Sequence, residues 1–314
     1  MPTSIILDCD PGHDDAMALI LAVASPSIDL KAVTTVAGNT TLEHTTKNAL
    51  RVLELLQVGD VPVARGAQAP LARPLETAQV MHGEDGLAGT DPFAPLVDGA
   101  HSTLVDLSAT ELIQKVTADT NGQVTLVATG PLTNVATYLN SNDPNIRKLD
   151  RIVLMGGAIG LGNWTPAAEF NIWVDPEAAR IVFESGIPLT MIGLEVTHEA
   201  IVTPSDIEVW RELGAIGEFA AAMMDHFVGF HISEFGWPGA PLHDAVTIAH
   251  LIDPSLVRTQ DMNVQIEVDS PLCRGRTVAD ELGVTGVASN AEVGLEIDRD
   301  RFVTLVTEHL SLLA

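Results

Sequence analysis

Apolar and polar positions along the chain fall into two alternating kinds of segment. Short aliphatic or β-branched runs at residues 5–7, 31–36 and 124–128 predict buried strands. Longer segments between them, such as 42–56 and 132–139, have the composition and spacing of helices. This alternation predicts βαβ units, and therefore an α/β fold with a Rossmann-like open, mainly parallel β-sheet flanked by helices.

The remaining predicted elements continue this alternation. They are strands at 61–63, 151–155, 188–192 and 262–268, and helices from 16, at 110–119, 176–185, 205–213, 215–231 and 243–252, and from 301. A segment rich in Pro, Gly and Asp follows the strand at 61–63 and runs to about residue 99. Because no repeat or composition break indicates a linker, the sequence predicts one domain over residues 1–314.

Four aspartates, Asp8, Asp10, Asp14 and Asp15, lie within eight residues directly after the first apolar run. They crowd the short connection between a predicted strand and a predicted helix, where like charges repel. The helix dipole offers only about half a positive charge, whereas a hard divalent cation prefers oxygen ligands. The pattern therefore favours a metal site over the alternative of helix capping by Asp14 or Asp15, which needs one such residue.

Polar residues also follow the other predicted strands. Ligands of open α/β sheets bind outside the carboxyl ends of the strands, so these residues are expected to face one crevice. No lysine or arginine is among them: they are Asn39, Thr129, Asn163, Glu169 and Asn171. Neutral amides and carboxylates suit a cation and the hydroxyls of a sugar, and they suit a phosphate group badly.

Composition excludes several classes of partner. The formal charge is −26, with 42 acidic against 16 basic residues, so nucleic acid and anionic membranes are not expected to bind. The two cysteines, Cys9 and Cys273, predict neither a disulfide scaffold nor a zinc site. No apolar run approaches the roughly 20 residues of a membrane helix. No signal peptide is evident either, so a cytoplasmic location is expected.

An ordered set of motifs spans most of the chain and resembles the nucleoside hydrolases of the inosine/uridine-preferring type. The motifs are Ile5-Ile-Leu-Asp-Cys-Asp-Pro-Gly-His-Asp-Asp-Ala-Met-Ala-Leu19, Ala32-Val-Thr-Thr-Val-Ala-Gly-Asn39, His82-Gly-Glu84, Ala128-Thr-Gly-Pro-Leu-Thr-Asn134, Val153-Leu-Met-Gly-Gly157, Gly162-Asn-Trp-Thr-Pro-Ala-Ala-Glu-Phe-Asn171, Asp175-Pro-Glu-Ala-Ala179 and His243-Asp244. The resemblance implies hydrolysis of the N-glycosidic bond of ribonucleosides in nucleoside salvage. Such a reaction passes through an oxocarbenium-like transition state.

The resemblance also implies a calcium ion (Ca2+) and assigns roles to individual residues. The implied metal ligands are Asp10, Asp15, Asp244 and the main-chain carbonyl of Thr129, with Asp10 also acting as general base. From its position alone, Asp244 would instead be interpreted as the N-cap of the helix that follows. The implied ribose-binding residues are Asp14, Asn39, Met155, Asn163, Glu169 and Asn171.

The residues expected beside the base are His82, His231, Trp237 and His243. His243 is the implied acid for the leaving group, since it adjoins a metal ligand and histidine titrates near neutral pH. His82 could otherwise be a solvated loop residue, and Trp237 could simply pack its loop. His231 lies near a position where relatives carry tyrosine. His82 stands where purine-specific relatives tend to carry tryptophan, which argues against strict purine specificity.

Two alternatives from other classes remain at this stage. A metal-dependent phosphatase of the haloacid dehalogenase type also begins with Asp-x-Asp after a strand. It needs Thr or Val next and a later lysine, but here Pro11 follows and no lysine occurs beyond Lys148. A calcium-dependent riboside-binding protein without turnover is the second alternative. The intact aspartates argue against it. The implied partner is a small-molecule nucleoside, and relatives form homodimers or homotetramers.

Overall fold

The structure, a computed structural model, describes residues 2–87 and 103–314. The strands are β1 (Thr3–Cys9), β2 (Ile28–Thr35), β3 (Pro62–Arg65), β4 (Thr103–Ser108), β5 (Val124–Ala128), β6 (Leu149–Met155), β7 (Leu189–Ile192), β8 (Ile201–Val202), β9 (Ala240–Pro241), β10 (Val257–Met262), β11 (Val264–Ile266), β12 (Thr277–Ala279) and β13 (Ala291–Ile297). The α-helices are α1 (His13–Ala24), α2 (Leu42–Leu55), α3 (Gln79–His82), α4 (Ala109–Asp119), α5 (Thr133–Leu139), α6 (Phe170–Val174), α7 (Pro176–Phe183), α8 (Leu194–Thr197), α9 (Pro204–Arg211), α10 (Gly214–Phe235), α11 (Ala245–Ile252) and α12 (Arg299–Ser311).

Within residues 2–87 and 103–314, nine strands form the central sheet in the order β10-β13-β7-β6-β5-β1-β2-β3-β4. Neighbouring strands are parallel except β10, which runs antiparallel to β13. The chain moves outward from β1 through β4, and then continues from β5 on the other side of β1. The order therefore reverses between β1 and β5, which is the topological switch point where such sheets bind ligands.

Alternating side chains of β1 show why helices cover both faces of the sheet. Ile5 and Leu7 belong to a buried cluster with residues of α1, α10, α11 and α12. Ile6 points to the opposite face and belongs to a second cluster with residues of α4, α5 and α7. A strand that is buried on both faces is a near-continuous apolar run, as this one is. The predicted fold class, an open, mainly parallel sheet flanked by helices, is confirmed.

Most predicted elements occur with shifted ends. The short elements α3, α6, α8, β8, β9 and β12 were not predicted, and neither were β4 and β13 of the central sheet. Both strands mix polar and apolar positions instead of forming a continuous apolar run, because each lies at or near an edge of the sheet. The predicted strand at 262–268 was wrong in extent, since its residues divide between the end of β10 and β11.

Two features of the fold bear on the predicted site and location. Helix α1 begins at His13, three residues before the predicted start, so Asp14 and Asp15 lie in its first turn. Of the predicted irregular segment that runs to about residue 99, the part from residue 88 onward lies outside the described residues. In the described part of the chain, no helix is long and apolar enough to cross a membrane.

Candidate functional site

The connection from β1 to α1 brings three aspartates to the switch point. Strand β1 ends at Cys9, and α1 begins three residues after Asp10. Asp15 Oδ2 accepts a hydrogen bond from the Gly12 amide at 3.1 Å, and Oδ1 accepts one from Thr129 Oγ1 at 2.8 Å. Asp15 therefore does bond the first turn of α1, as the capping alternative expected, but capping leaves Asp10 and Asp14 unexplained.

Asp10 is held in a tight backbone cradle. Its Oδ2 accepts a hydrogen bond from the Asn39 amide at 2.6 Å, and its carbonyl oxygen accepts one from Asn39 Nδ2 at 3.1 Å. A Cβ atom at either Gly38 or Gly130 would overlap an oxygen of this carboxylate. Glycine is therefore required at both positions because the backbones after β2 and β5 approach the carboxylate so closely.

Asp244 reaches the same place from the far end of the chain. It occupies the N-cap position of α11, yet its side chain makes no capping hydrogen bond. Its carboxylate instead meets those of Asp14 and Asp15, and ligand atoms of the three residues lie within 4.8 Å of one another. We call Asp10, Asp14, Asp15 and Asp244 the carboxylate cluster. Asp10 lies beside the close trio rather than within it.

Burial gives the carboxylate cluster unusual proton affinities. Burial, followed by the charge of neighbouring carboxylates, raises the pKa of Asp10 and Asp244 well above the ordinary range. Burial also raises the pKa of Asp14 to about 7 and that of Asp15 to about 6. Packing ionised carboxylates this closely requires a compensating positive charge.

The donor set fits a hard cation. Asp10 Oδ1 and Asp14 Oδ1 are buried and have no hydrogen-bond partner among the described residues. Buried polar atoms are normally paired, so two orphaned carboxylate oxygens in one cluster indicate a missing partner. No lysine or arginine borders the neighbouring pocket in the described part of the chain. A divalent metal ion with oxygen ligands satisfies these observations together.

Glu169 and Asn171 form a rigid side of the pocket at the start of α6. The Glu169 carboxylate accepts hydrogen bonds from the amides of Gly157 and Asn171 at 2.9 Å, and burial raises its pKa to about 7. Asn171 Nδ2 donates to the Thr129 carbonyl at 2.8 Å and to the Met155 carbonyl at 3.1 Å. These bonds join the ends of β5 and β6 to α6.

Asn39 and Asn163 differ in how firmly they are held. Asn39 is buried, and its Nδ2 bonds Asp15 Oδ2 at 3.2 Å as well as the Asp10 carbonyl. Asn163 is exposed on the loop after β6, where its Oδ1 accepts a hydrogen bond from the Phe170 amide at 3.0 Å. Asn39 is thus part of the rigid structure around the carboxylates, whereas Asn163 lies at the rim.

Rings from separate elements pack opposite the amides. His82, at the end of α3, lies with its Nδ1 3.3 Å from His13 Nδ1 and stacks on Phe227 of α10 at 5.4 Å. His231, one turn after Phe227, has its Nδ1 2.8 Å from the Phe227 carbonyl. Burial lowers the pKa of His82 well below its usual range and also lowers that of His231. Both rings are therefore neutral near pH 7.

His243 and Trp237 extend this group of rings. His243 Nδ1 lies 2.7 Å from Thr197 Oγ1, and burial lowers the pKa of the His243 imidazole well below its usual range. Trp237 contacts His231 at 5.9 Å between ring centroids, and His198 lies edge-on between Trp237 and His243. We call the base-side set the aromatic cluster, consisting of His13, His82, His198, Phe227, His231, Trp237 and His243.

One pocket lies between the amides, the carboxylate cluster and the aromatic cluster. It is bordered by Asp14, Asn39, Ala78, Met81, His82, Thr129, Met155, Asn163, Glu169, Phe170, Asn171, Phe227, His243 and Asp244. Ten of the residues proposed from the sequence are in this set. Asp10 and Asp15 are buried beside it, while His231 and Trp237 pack behind its aromatic side. Asp8, by contrast, lies within β1, where it bonds Thr34 and Asn134 and does not border the pocket.

Several pocket residues were not predicted from the sequence. Phe227 borders the pocket, and it lies four residues before His231 on α10, a spacing that places both on one helix face. Met81 and Phe170 each adjoin a predicted site residue. Their position next to predicted site residues was the one signal in the sequence. Apolar residues next to polar ones are too common for that position to identify a pocket residue.

Comparisons with known proteins agree with this geometry. The sequence model of the family described as inosine-uridine preferring nucleoside hydrolase matches residues 5–304. The pyrimidine-specific ribonucleoside hydrolase RihA of Enterobacter sp. (strain 638) is 50% identical over 313 residues, covering 99% of this chain and 98% of the relative. RihA of Shewanella sp. (strain MR-7) is 51% identical over 314 residues, covering 99% and 97%.

Solved structures give the same result. The purine-preferring ribonucleoside hydrolase from Gardnerella vaginalis superposes with a TM-score of 0.90 at 32% identity, covering 99% of each chain. Neither the phosphatase nor the non-catalytic alternative is supported by these relatives. The chain belongs to the inosine-uridine preferring nucleoside hydrolase family, which is metal-dependent, and is an enzyme that hydrolyses ribonucleosides, with an acidic cluster able to hold a metal ion.

Proposed function

We propose that this enzyme cleaves the N-glycosidic bond of pyrimidine ribonucleosides by calcium-assisted attack of water. The water oxygen adds to the anomeric carbon as the water gives a proton to a carboxylate. The carbon–nitrogen bond breaks with its electron pair passing to the base, and the departing base then takes up a proton from solvent. The observation that carries this proposal is the buried carboxylate cluster at the switch point, next to neutral amides and without a basic residue among those bordering the pocket. Such a site suits a cation and sugar hydroxyls together.

The proposed ligands of the ion are Asp10, Asp15, Asp244 and the Thr129 carbonyl. Asp14 forms the close trio of carboxylates with Asp15 and Asp244. Calcium suits them because its shell accepts many oxygen ligands in flexible geometry. When bound, the ion supplies positive charge that acidifies water and attracts sugar hydroxyls. The orphaned oxygens of Asp10 and Asp14 support this assignment.

Asp10 is the proposed general base. One of its oxygens is committed to the Asn39 amide, and the other is buried without a partner among the described residues. The bonded oxygen fixes the direction of the carboxylate, and the free oxygen is available to accept a proton from the attacking water. A positioned base of this kind contributes typically about 10²- to 10⁴-fold to a rate.

Asp14, Asn39, Met155, Asn163, Glu169 and Asn171 are the proposed ribose-binding residues. The hydrogen bonds of Glu169 and Asn171 to the ends of β5 and β6 hold their side chains in place before substrate arrives. Preorganisation lowers the free energy of activation only where contacts strengthen in the transition state. Buried Glu169 also disfavours a negatively charged substituent on the sugar, so nucleosides are preferred to nucleotides.

The aromatic cluster is the proposed base site. His82 and His243 border the pocket directly, with His231 and Trp237 packed behind them. The preference for pyrimidines is supported by the relatives at about 50% identity, which are described as pyrimidine-specific. It is also supported by His82, which is a polar ring where purine-specific relatives tend to carry tryptophan. His243 is the proposed hydrogen-bond donor to the leaving base.

Other expectations from the sequence stay predictions. These are a single domain over residues 1–314, assembly into a homodimer or homotetramer, a cytoplasmic location and a role in nucleoside salvage. Sedimentation analysis of the purified enzyme measures the assembly state directly.

A nucleoside panel tests the proposed function. Uridine, cytidine, inosine and adenosine are incubated at one concentration, and the reducing sugar released is measured. We expect faster release from uridine and cytidine than from either purine nucleoside. Faster release from inosine would contradict the pyrimidine preference, and no release from any of the four would contradict the proposed reaction.

Chelation tests the metal. We expect the enzyme to lose nearly all turnover after exhaustive treatment with a calcium chelator, and to regain it when calcium chloride is added in excess. Full turnover by the chelated enzyme would show that the carboxylate cluster works without an ion. Recovery with magnesium but not with calcium would assign a different metal.

A further inference from the structure

A buried hydroxyl lies directly behind His243. Thr197, the last residue of α8, is fully buried, and its Oγ1 is 2.7 Å from His243 Nδ1. Helix α8 follows β7 almost directly, and Leu194 at its start bonds the Gly157 carbonyl through its amide. The hydroxyl is therefore carried by the same edge of the sheet that carries the pocket.

The direction of this hydrogen bond follows from counting donors. The Thr197 amide already donates to the Gly193 carbonyl at 3.1 Å. Among the described residues, His243 is the hydrogen-bond partner of the Thr197 hydroxyl. If His243 Nδ1 carried the proton, the Thr197 O–H would be buried without an acceptor, which folded proteins avoid. The hydroxyl therefore donates, and His243 Nδ1 accepts.

The consequence concerns the other ring nitrogen. An imidazole that accepts at Nδ1 and is neutral carries its proton on Nε2. His243 borders the pocket, and with Nδ1 occupied by Thr197, Nε2 is the nitrogen available to a ligand. A pyrimidine nucleoside presents a carbonyl oxygen, O2, next to its glycosidic nitrogen, and this oxygen gains negative charge as the bond breaks. An N–H donor stabilises that charge, whereas a bare nitrogen repels it.

We propose that Thr197 is a positioning residue that holds His243 in the tautomer with its proton on Nε2, directed at the leaving base. This inference rests on the proposed function, in which His243 serves the base. Partners that orient metal-bound histidines are typically worth about 10- to 100-fold when removed, and we expect an effect of that size here. Thr197 acts only through His243. Replacing Thr197 should therefore lower kcat more for a leaving group that needs a hydrogen-bond donor than for one that does not.

Two substitutions measure this dependence. Thr197→Val keeps the shape and removes the donor, and Thr197→Ser keeps the donor. For Thr197→Val we expect kcat for uridine to fall about 10- to 100-fold with little change in KM. We expect kcat for 4-nitrophenyl riboside to change less than about threefold, because its leaving group needs no donor. Thr197→Ser should restore uridine turnover to within about threefold of the parent enzyme.

Thr117→Val is the matched control. Thr117 is equally buried, and its hydroxyl bonds the Ile113 carbonyl in α4, away from the pocket. We expect this variant to lose thermal stability without a difference between the two substrates. An equal loss on uridine and nitrophenyl riboside in Thr197→Val would assign Thr197 a merely structural role and overturn the inference.

Nitrogen-15 NMR of histidine-labelled enzyme reads the tautomer without turnover, with the His243 signals identified by their loss in His243→Ala. We expect an unprotonated Nδ1 in the parent enzyme and a mixture of tautomers in Thr197→Val. A protonated Nδ1 in the parent would overturn the inference whatever the kinetics. If His243→Ala impairs uridine hydrolysis but Thr197→Val does not, this inference fails while the proposed function stands. Normal uridine turnover by His243→Ala contradicts both this inference and the role of His243 within the proposed function, while uridine hydrolysis itself stands.

Discussion

The carboxylate cluster and the aromatic cluster border the same pocket but are built in different ways. Each member of the carboxylate cluster lies at the end of a strand or the beginning of a helix, and the backbones of Asn39, Gly38 and Gly130 hold Asp10 directly. The aromatic cluster collects rings from α1, α3 and α10, from residues just after α8 and α10, and from the turn before α11. These rings contact one another mainly through their faces and edges. The residues proposed for catalysis therefore lie at the ends of strands and the beginnings of helices, whereas those proposed to recognise the base are carried mainly by helices.

The two clusters also differ in the direction in which burial shifts the pKa values of their side chains. Burial raises the pKa of the aspartates, so they need a positive partner to ionise. Burial lowers the pKa of His82 and His243, so they are neutral and act as hydrogen-bonding rings. The difference indicates that changes in the carboxylate cluster stop the reaction for every substrate. Changes in the aromatic cluster should instead act selectively, according to the leaving base.

The largest expected effect is that of Asp10→Asn. The amide keeps an acceptor for the Asn39 N–H but cannot take a proton from water, so we expect kcat to fall about a thousand-fold or more. The loss should be alike for uridine and for nitrophenyl riboside. Steady-state kinetics with both substrates measures it, and near-normal turnover would remove Asp10 from the role of base.

Asp8→Asn is the control for that substitution. Asp8 is equally buried, two residues away, and bonds Thr34 Oγ1 at 2.5 Å and Asn134 Nδ2 at 2.7 Å. Because it does not border the pocket, we expect this variant to keep kcat within about tenfold of the parent, at a changed thermal midpoint. If Asp8→Asn lowers kcat as much as Asp10→Asn does, then the loss comes from disturbing a buried aspartate in this region and not from removing a general base.

A selective effect of intermediate size is expected for His243→Ala. Removing the ring takes away the donor to the leaving base, so uridine turnover should fall about a hundred-fold while nitrophenyl riboside is affected far less. His250→Ala is the control, because His250 is also buried and lies on α11 but does not border the pocket. Equal losses on the two substrates would break the distinction between the clusters.

The smallest expected effect is on stability, and it depends on pH. The folded-state pKa of Asp14, about 7, and that of Asp15, about 6, lie above the ordinary value of 3.8. The folded chain without metal therefore holds protons more tightly than the unfolded chain, and this stabilisation is lost as pH rises through 6 to 7. Each extra proton held by the folded state corresponds to about 1.4 kcal/mol per pH unit.

Thermal midpoints of chelated enzyme, measured from pH 5 to pH 8, test this directly. We expect the midpoint to fall as pH rises, and saturating calcium to flatten or reverse the fall by stabilising the ionised carboxylates. The aromatic cluster gives a contrasting measurement: His82→Ala should steepen the fall below pH 6.5, because the buried ring is neutral in the folded chain but takes up a proton in the unfolded chain. A midpoint that rises with pH above 6.5 in the chelated enzyme would contradict the raised pKa values.

Sequence alone was enough to predict the fold class and most residues around the pocket. Apolar runs alternate with helical spacing, and polar residues follow the strands, so parallel topology places Asp14, Asn39, Thr129 and Asn171 at one edge. The acidic cluster was predictable because four aspartates lie within eight residues, where like charges need a cation. Both features follow from strand ends and charge repulsion, which are local properties of the chain.

Tertiary structure alone identified other parts of the site. From its position alone Asp244 was interpreted as a helix cap, and the fold shows its carboxylate beside Asp14 and Asp15 without a capping hydrogen bond. Thr197 contacts His243 across 46 positions of sequence, and Phe227 contacts His82 across 145 positions, through contacts that depend on how helices pack. Packing between distant helices leaves no periodic or charge signal in the chain, because each helix is apolar for the core as a whole and not for one ring within it.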